Sequence, residues 1–134
     1  GIDFNRLLLV CAVLTRRVGI PVYNQDVVVN VTGGLRITEP AIDLGLAFAI
    51  VSSIRDVPLE LSLAAIGEVG LNGEVRGVPQ LERRISEVRR LGLKRCVVPG
   101  DTIPEVSYHE GLEIVPVLTV AEAIESYIPR HSSR

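Results

Sequence analysis

The segment Gly67–Pro99 reads GEVGLNGEVRGVPQLERRISEVRRLGLKRCVVP. Its punctuation decides the fold class. Gly70-Leu71-Asn72-Gly73 is a tight-turn signal. It predicts that a strand over Leu61–Val69 pairs back with Glu74–Val78 as a hairpin, although Ala64-Ala65 weakens the first arm. Gln80–Leu91 then takes the helical period. Leu81, Ile85 and Val88 share one face at i, i+4 and i+7, with Arg84 and Leu91 on its flank. Arg83, Ser86, Glu87 and Arg90 point the opposite way. Gly92 ends the helix, and Cys96–Val98 is a short buried strand closed by Pro99-Gly100.

Working outward, Leu112–Val117 reads as another strand. Thr119–Ile128 reads as a last helix, with Thr119 as N-cap and Glu122 three residues on, the pattern of a capping box. Toward the N-terminus, RITEPAIDLGLAFAI (residues 36–50) opens a buried helix from about Pro40 to Ile54. Val27–Thr32 (VVVNVT) is a β-branched strand, and Val22–Asn24 and Leu35–Ile37 are shorter extended pieces. Phe4–Val18 (FNRLLLVCAVLTRRV) is a helix apolar nearly all round, hence buried. Gly19 caps it, and Arg16 and Arg17 suit the negative end of its dipole. Strands and helices alternate around an embedded hairpin. The expected class is α/β, an α+β mixed sheet with helices packed against it, in one domain over residues 1–134. Residues 1–20 form a lead-in helix and residues 129–134 a frayed tail.

The 134 residues are 47% hydrophobic but only 4% aromatic, so the core is built from Val, Leu, Ile and Ala. The net charge of −2 hides an asymmetry. Residues 76–95 hold seven cations (Arg76, Arg83, Arg84, Arg89, Arg90, Lys94, Arg95) against Glu82 and Glu87, which leaves the rest of the chain at −7. One basic segment on an acidic domain marks a partner surface. Cys11 and Cys96 lie in apolar runs without ligand spacing and read as small buried hydrophobes. With no apolar run of the ~18 residues a span needs and no cleavable leader, the expected setting is cytoplasmic.

Motif chemistry is sparse. GxxxxGK[ST] is absent, since Lys94 is the only lysine, and so is GxSxG. His109 beside Glu110 and His131 in the tail read as solvated side chains. No ligand cluster predicts a metal site. Asp43, the lone charge in the run from Pro40 to Ile54, complements a helix dipole.

Two segments resemble a known family. GEVGLNGEVRGVPQLERRISEVRRLGLKRCVVP is similar to the hairpin, helix and strand of the Lon-protease proteolytic domain. RITEPAIDLGLAFAI resembles that family's serine-bearing helix start, a Gly-Pro-Ser-Ala-Gly pattern. The likeness covers roughly residues 22–128 and implies a Lon proteolytic-domain-like fold, related to ribosomal protein S5 domain 2. In that register Ala41 stands where the nucleophilic serine belongs and Glu82 where the catalytic lysine belongs. A slip of two or three residues offers only Thr38 and Arg84. Neither register makes a Ser–Lys dyad, so the domain is expected not to be an enzyme.

A closer resemblance covers almost the whole chain. GIDFNRLLLVCAVLTRRVGI, QDVVVNVTGGLRITEPAIDLGLAFAIVSSIRDVPL and GEVGLNGEVRGVPQLERRISEV are similar to the C-terminal Lon-like domain of the bacterial DNA recombination and repair ATPases of the RadA (Sms) type. That resemblance implies an upstream zinc finger and RecA-like ATPase core, which carry the zinc, ATP and magnesium, so that this domain needs no cofactor. It also implies a ring, hexameric in the family, in which this domain acts as an oligomerisation scaffold and helps to bind DNA. The basic helix then has a use: Arg83, Arg84, Arg90, Lys94 and Arg95 are the candidate phosphate contacts, with Arg36 and Arg55 as weaker ones. With no aromatics interleaved, the expected contact is to the backbone, independent of sequence and sensitive to salt. Subunit-interface ion pairs and plain solvation of the helix face remain open. So do a pure assembly module without DNA contact and, from another class, a Lon-type peptidase with displaced residues.

Overall fold

A computed structural model of the chain describes residues 4–22, 40–101 and 110–130. The expected strands over Val27–Thr32, Val22–Asn24 and Leu35–Ile37, together with His109 and His131, lie wholly or mostly outside the described residues, as does Arg36. Helix α1 (Phe4–Val13) runs on as a π turn over Leu14–Val18. A 3-10 turn at Pro40–Ile42 leads into α2 (Asp43–Arg55). Strands β1 (Leu63–Ala65), β2 (Glu68–Val69) and β3 (Val75–Arg76) precede α3 (Leu81–Arg90). Strands β4 (Arg95–Pro99) and β5 (Glu113–Val117) and helix α4 (Val120–Tyr127) complete the described elements.

The strands form a mixture of parallel and antiparallel pairs, divided between two sheets. β4 lies between β1 and β5, all parallel, with Leu63, Arg95 and Glu113 in register. β2 and β3 form a separate antiparallel hairpin. The expected single strand over Leu61–Val69 is thus broken in two. The backbone shows why. Ile66 N–H still donates to Val97 O at 2.9 Å, but Gly67 N–H donates to Ala41 O at 2.9 Å. The chain leaves the parallel sheet there to bond to the start of α2. Only glycine fits the crossing: a Cβ on Gly67 would stand 2.7 Å from Val75 Cγ1 and 3.7 Å from Leu44 Cβ. The hairpin is tied at its far side, where Val75 N–H donates to Leu118 O and Val120 N–H donates to Gly73 O.

The alternation of β4 divides the core. Cys96 and Val98 face Ile66, Leu81, Ile85 and Leu112, the side of α3. Val97 faces the larger cluster built by Leu14 of the π turn and buried residues of α1, α2 and α4, among them Val10, Leu44, Ile50 and Ile124. Helices therefore cover both faces of the parallel sheet. α2 is buried almost all round, with Leu44, Leu46, Ala47, Phe48, Ile50 and Val51 all inside. It stops at Asp56, a non-glycine residue in the left-handed region (φ 53°) whose N–H bonds to Ser52 O and Ser53 O.

Several expectations need adjustment. α1 is not buried all round, because Leu8 is exposed. α3 begins at Leu81, since Gln80 takes a left-handed conformation (φ 58°) that turns the chain into the helix. Leu91 lies at the end of α3 with 70% of its surface exposed rather than on the buried flank. The capping of α4 is as expected in its main bond, with Glu122 N–H donating to Thr119 Oγ1 at 3.1 Å. The reciprocal bond is shifted by one residue: Leu118 N–H, not Thr119 N–H, donates to Glu122 Oε1 at 2.7 Å. Both cysteines are free, and burial pushes the Cys96 thiol up to about 12. Among the described residues no helix is long and apolar enough to cross a membrane, and no group of three or more His, Cys, Asp or Glu is placed to hold a metal ion.

Candidate functional site

Two places answer to the sequence motifs: the start of α2 and the outer face of α3. At the first, Ala41 is 5% exposed and its side chain is a methyl. Its carbonyl is taken by Gly67 N–H, and Leu44 N–H donates to Gly67 O at 3.1 Å. A helix start offers free N–H groups to an anion only while they are unbonded. Here the Gly67 segment occupies part of that position.

Asp43 stands in the same turn. It is fully buried, at 0% exposure, in the first turn of α2. Arg6 of α1 donates from Nε to Asp43 Oδ1 at 3.1 Å and from Nη2 to Oδ2. Val69 N–H of the hairpin donates to Oδ2 at 3.0 Å. Glu68 lies 3.9 Å from the same guanidinium. One carboxylate thus joins α1, α2 and β2. The dipole reading of Asp43 is incomplete, because its partners come from other elements. A signal for this pairing existed: Arg6 and Asp43 are each the lone charge at the opening of a long apolar run. They stand 37 residues apart, so periodicity alone does not connect them.

Glu82 sits half-buried in the first turn of α3, next to Leu81, which packs in the smaller cluster with Ile66. One short segment, Ile66-Gly67, thus lies between Ala41 and Leu81, the neighbour of Glu82. It bonds to Ala41 on one side and shares the core of α3 on the other. Neither side chain is a nucleophile or an amine.

On α3 the expected division of faces holds. Leu81 and Ile85 are buried, Val88 is half-buried, and Arg83, Ser86, Glu87 and Arg90 are exposed. The cations are not equivalent. Arg83 and Lys94 are exposed and their side chains make no ion pair or hydrogen bond among the described residues. Arg90 is 75% exposed and, among the described residues, pairs only with Glu87, one turn before it. Arg84 is half-buried, and its Nε donates to Pro79 O at 3.0 Å. Arg89, which the motif reading did not select, is exposed and donates from Nε to Glu110 O at 2.8 Å.

Arg95 and Arg55 are committed within the chain. Arg95 lies between Glu113 (Nε to Oε1, 2.6 Å) and Glu60 (Nη1 to Oε2, 3.1 Å), with its guanidinium 5.9 Å from the Tyr127 ring centre. The Glu113 bond, with the nearby Glu60 charge, raises its pKa further above the ordinary arginine value. Arg55 has an 11% exposed side chain that donates to Ile128 O at 2.6 Å and to Glu125 at 3.2 Å. Both guanidiniums tie α2 or β4 to α4 and β5, and a phosphate would have to displace acids to reach them. The basic face available to an anion narrows to Arg83, Arg90 and Lys94, flanked by Arg84 and Arg89.

Known proteins are similar to this sequence. A family model described as subunit ChlI of Mg-chelatase matches residues 10–102, more than half of the chain. The DNA repair protein RadA of Bacillus subtilis is 44% identical over 126 residues, covering 94% of this chain and 28% of the relative. The protein of the same name from Halalkalibacterium halodurans is 43% identical over 130 residues, covering 97% of this chain and 28% of the relative. That of Synechocystis sp. is 42% identical over 134 residues, covering 99% of this chain and 26% of the relative. The chain thus spans little more than a quarter of the length of these relatives. It belongs to the family described as subunit ChlI of Mg-chelatase, and its relatives identify it as a RadA-family sequence.

Proposed function

We propose that the chain is a non-catalytic module, with the architecture of the Lon proteolytic domain, of a RadA-type DNA repair and recombination ATPase. It acts there as an oligomerisation scaffold in a ring, hexameric in this reading, and as an auxiliary surface for the DNA backbone. The setting is cytoplasmic, and the ATP, magnesium and zinc chemistry belongs to other segments of the protein. The observation that carries the DNA half is the outer face of α3, where Arg83 and Lys94 have no partner among the described residues and Arg90 has only an exposed acid. Arg83 and Arg90 stand seven residues apart on one face, about 10 Å along the helix axis, a span that reaches more than one phosphate of a duplex. The non-catalytic half is supported by the methyl side chain of Ala41, and by the Gly67 backbone, which takes Leu44 N–H and donates to Ala41 O at the helix start.

The test is duplex binding by the full-length protein across a salt series. Arg83→Ala with Arg90→Ala is expected to weaken binding for all sequences alike and to reduce the slope of log K against log salt by roughly 2. Unchanged affinity and slope at low salt would remove DNA from this face. A second reading, assembly without DNA contact, draws on Leu61 and Leu91, both largely exposed, with Leu91 at the end of the same helix. In that case the same double substitution changes the sedimentation of the protein and leaves its DNA affinity in the assembled state untouched.

A further inference from the structure

The acid on the basic face has a job of its own if that face meets DNA. Glu87 lies four residues after Arg83 and three before Arg90, in the middle of the exposed stripe. It does not bridge to both. Its carboxylate pairs with Arg90 only, and Arg83 is left without a partner among the described residues. Helix geometry explains the choice. An acid N-terminal to a cation follows the helix dipole, whereas Arg83 before Glu87 runs against it. The pair is solvated: Arg90 is 75% and Glu87 54% exposed at the side chain. Arg90 is therefore held in place without being buried, and another anion can replace its partner.

Resting on the DNA reading above, we propose that Glu87 is a built-in competitor for phosphate. It holds Arg90 in the unbound protein and is displaced when a backbone phosphate takes the guanidinium. Arg83 and Lys94 supply attraction at all times, and Arg90 becomes a contact only by exchanging one anion for another. The chemistry points to a phosphodiester backbone as the occupant. The exchange partner must carry negative charge outside any pocket, and the stripe presents guanidinium forks without aromatic side chains. Once displaced, Glu87 stands beside the bound backbone and repels it. It thus limits residence on DNA in a way that fades as salt screens both interactions.

The experiment compares the full-length protein with Glu87→Gln, Arg90→Ala, the two combined, and Glu125→Gln as a control of equal charge change on another helix. All five substituted or native proteins are titrated with one duplex at low and high salt. Glu87→Gln is expected to tighten binding roughly three- to tenfold at low salt, with the gain shrinking as salt rises. The gain should fall by at least half in the Arg90→Ala background, because the pair is then already broken. Glu125→Gln should leave affinity within about twofold of the native value. Three results overturn the inference: no gain from Glu87→Gln, an equal gain with and without Arg90, or an equal gain from Glu125→Gln. Loss of binding on Arg90→Ala alongside any of these would leave the DNA reading standing while the competitor role falls. No effect of Arg90→Ala at all, together with no effect of the Arg83→Ala, Arg90→Ala pair in the salt series above, sinks the DNA reading itself.

Discussion

Removing Asp43 should cost more stability than removing any other single charge among the described residues. Asp43 is the one buried polar or charged residue among them, and its carboxylate takes three hydrogen bonds. Asp43→Ala leaves Val69 N–H in the core without an acceptor and strips Arg6 of its main counter-ion. Breaking a buried pair by deleting one partner costs about 3–5 kcal/mol. Arg6 is 19% exposed and lies 3.9 Å from Glu68, so water and a second acid relieve part of the loss. The expected cost is therefore near the low end, about 3 kcal/mol. Asp43→Asn keeps the shape and an acceptor for Val69 N–H but loses the charge, at about 1–2 kcal/mol. Arg6→Met strands the carboxylate and should cost about 3 kcal/mol as well. Urea unfolding of the 134-residue chain reads these directly. With m of about 1–3 kcal/mol/M, a loss of about 3 kcal/mol lowers the midpoint by roughly 1–3 M. The double variant Arg6→Met with Asp43→Leu should recover most of the deficit, because two apolar groups then replace two charges. If each single variant costs under about 1 kcal/mol, or the double costs the sum of the singles, the carboxylate is not the joint that ties these elements together.

Arg55→Ala should lower stability by about 1–2 kcal/mol, through lost bonds to Ile128 O and Glu125, while leaving DNA affinity unchanged. Urea unfolding and duplex titration read the two effects, and a fall in affinity matching that of Arg83→Ala would return Arg55 to the binding surface. In the native chain at pH 8, Cys96 should resist thiol reagents, because burial pushes its pKa to about 12, and it should react fully in urea. The same shift fixes a pH window. Folding keeps the thiol protonated, so its contribution is intact below the unfolded value near 9 and is lost as pH rises from 9 to about 12. Stability that holds constant through that window, compared with Cys96→Ala, would contradict the assignment.

Local rules made most of the elements legible. α3 and α4 were readable from period and punctuation, because their apolar positions, Gly92 and Thr119 act within one or two turns. The hairpin was readable from Gly70-Leu71-Asn72-Gly73, whose last glycine takes φ 82°. What failed was contact between distant segments. Leu61–Val69 looks like one strand in sequence, yet Gly67 bonds to Ala41, 26 residues earlier, and the strand breaks there. No period reports a backbone bond to another element. Arg55 and Arg95 read as free cations for the same reason. Their partners, Glu125, Ile128, Glu60 and Glu113, are far along the chain, and a count of charges does not say which are already spent.

The same distinction sharpens the reading of the α2 start. A helix that presents a nucleophile must keep its first N–H groups and the space before them open. In this chain the space before α2 receives the Gly67 segment, which bonds to Ala41 O and Leu44 N–H. The acid two residues after Ala41 draws in a guanidinium from α1 and an amide from the hairpin. Each of these groups is then fixed by packing: Leu44 and Val75 close on Gly67, and α1 buries Leu7 and Val10 beside Arg6. A serine placed at position 41 alone would therefore still meet Leu44 N–H already bonded to Gly67 O, with glutamate rather than an amine at position 82. What such a helix start does well is join three elements rigidly. The solvated charges lie elsewhere, on the outer side of α3, where Arg90 and Glu87 pair in the open.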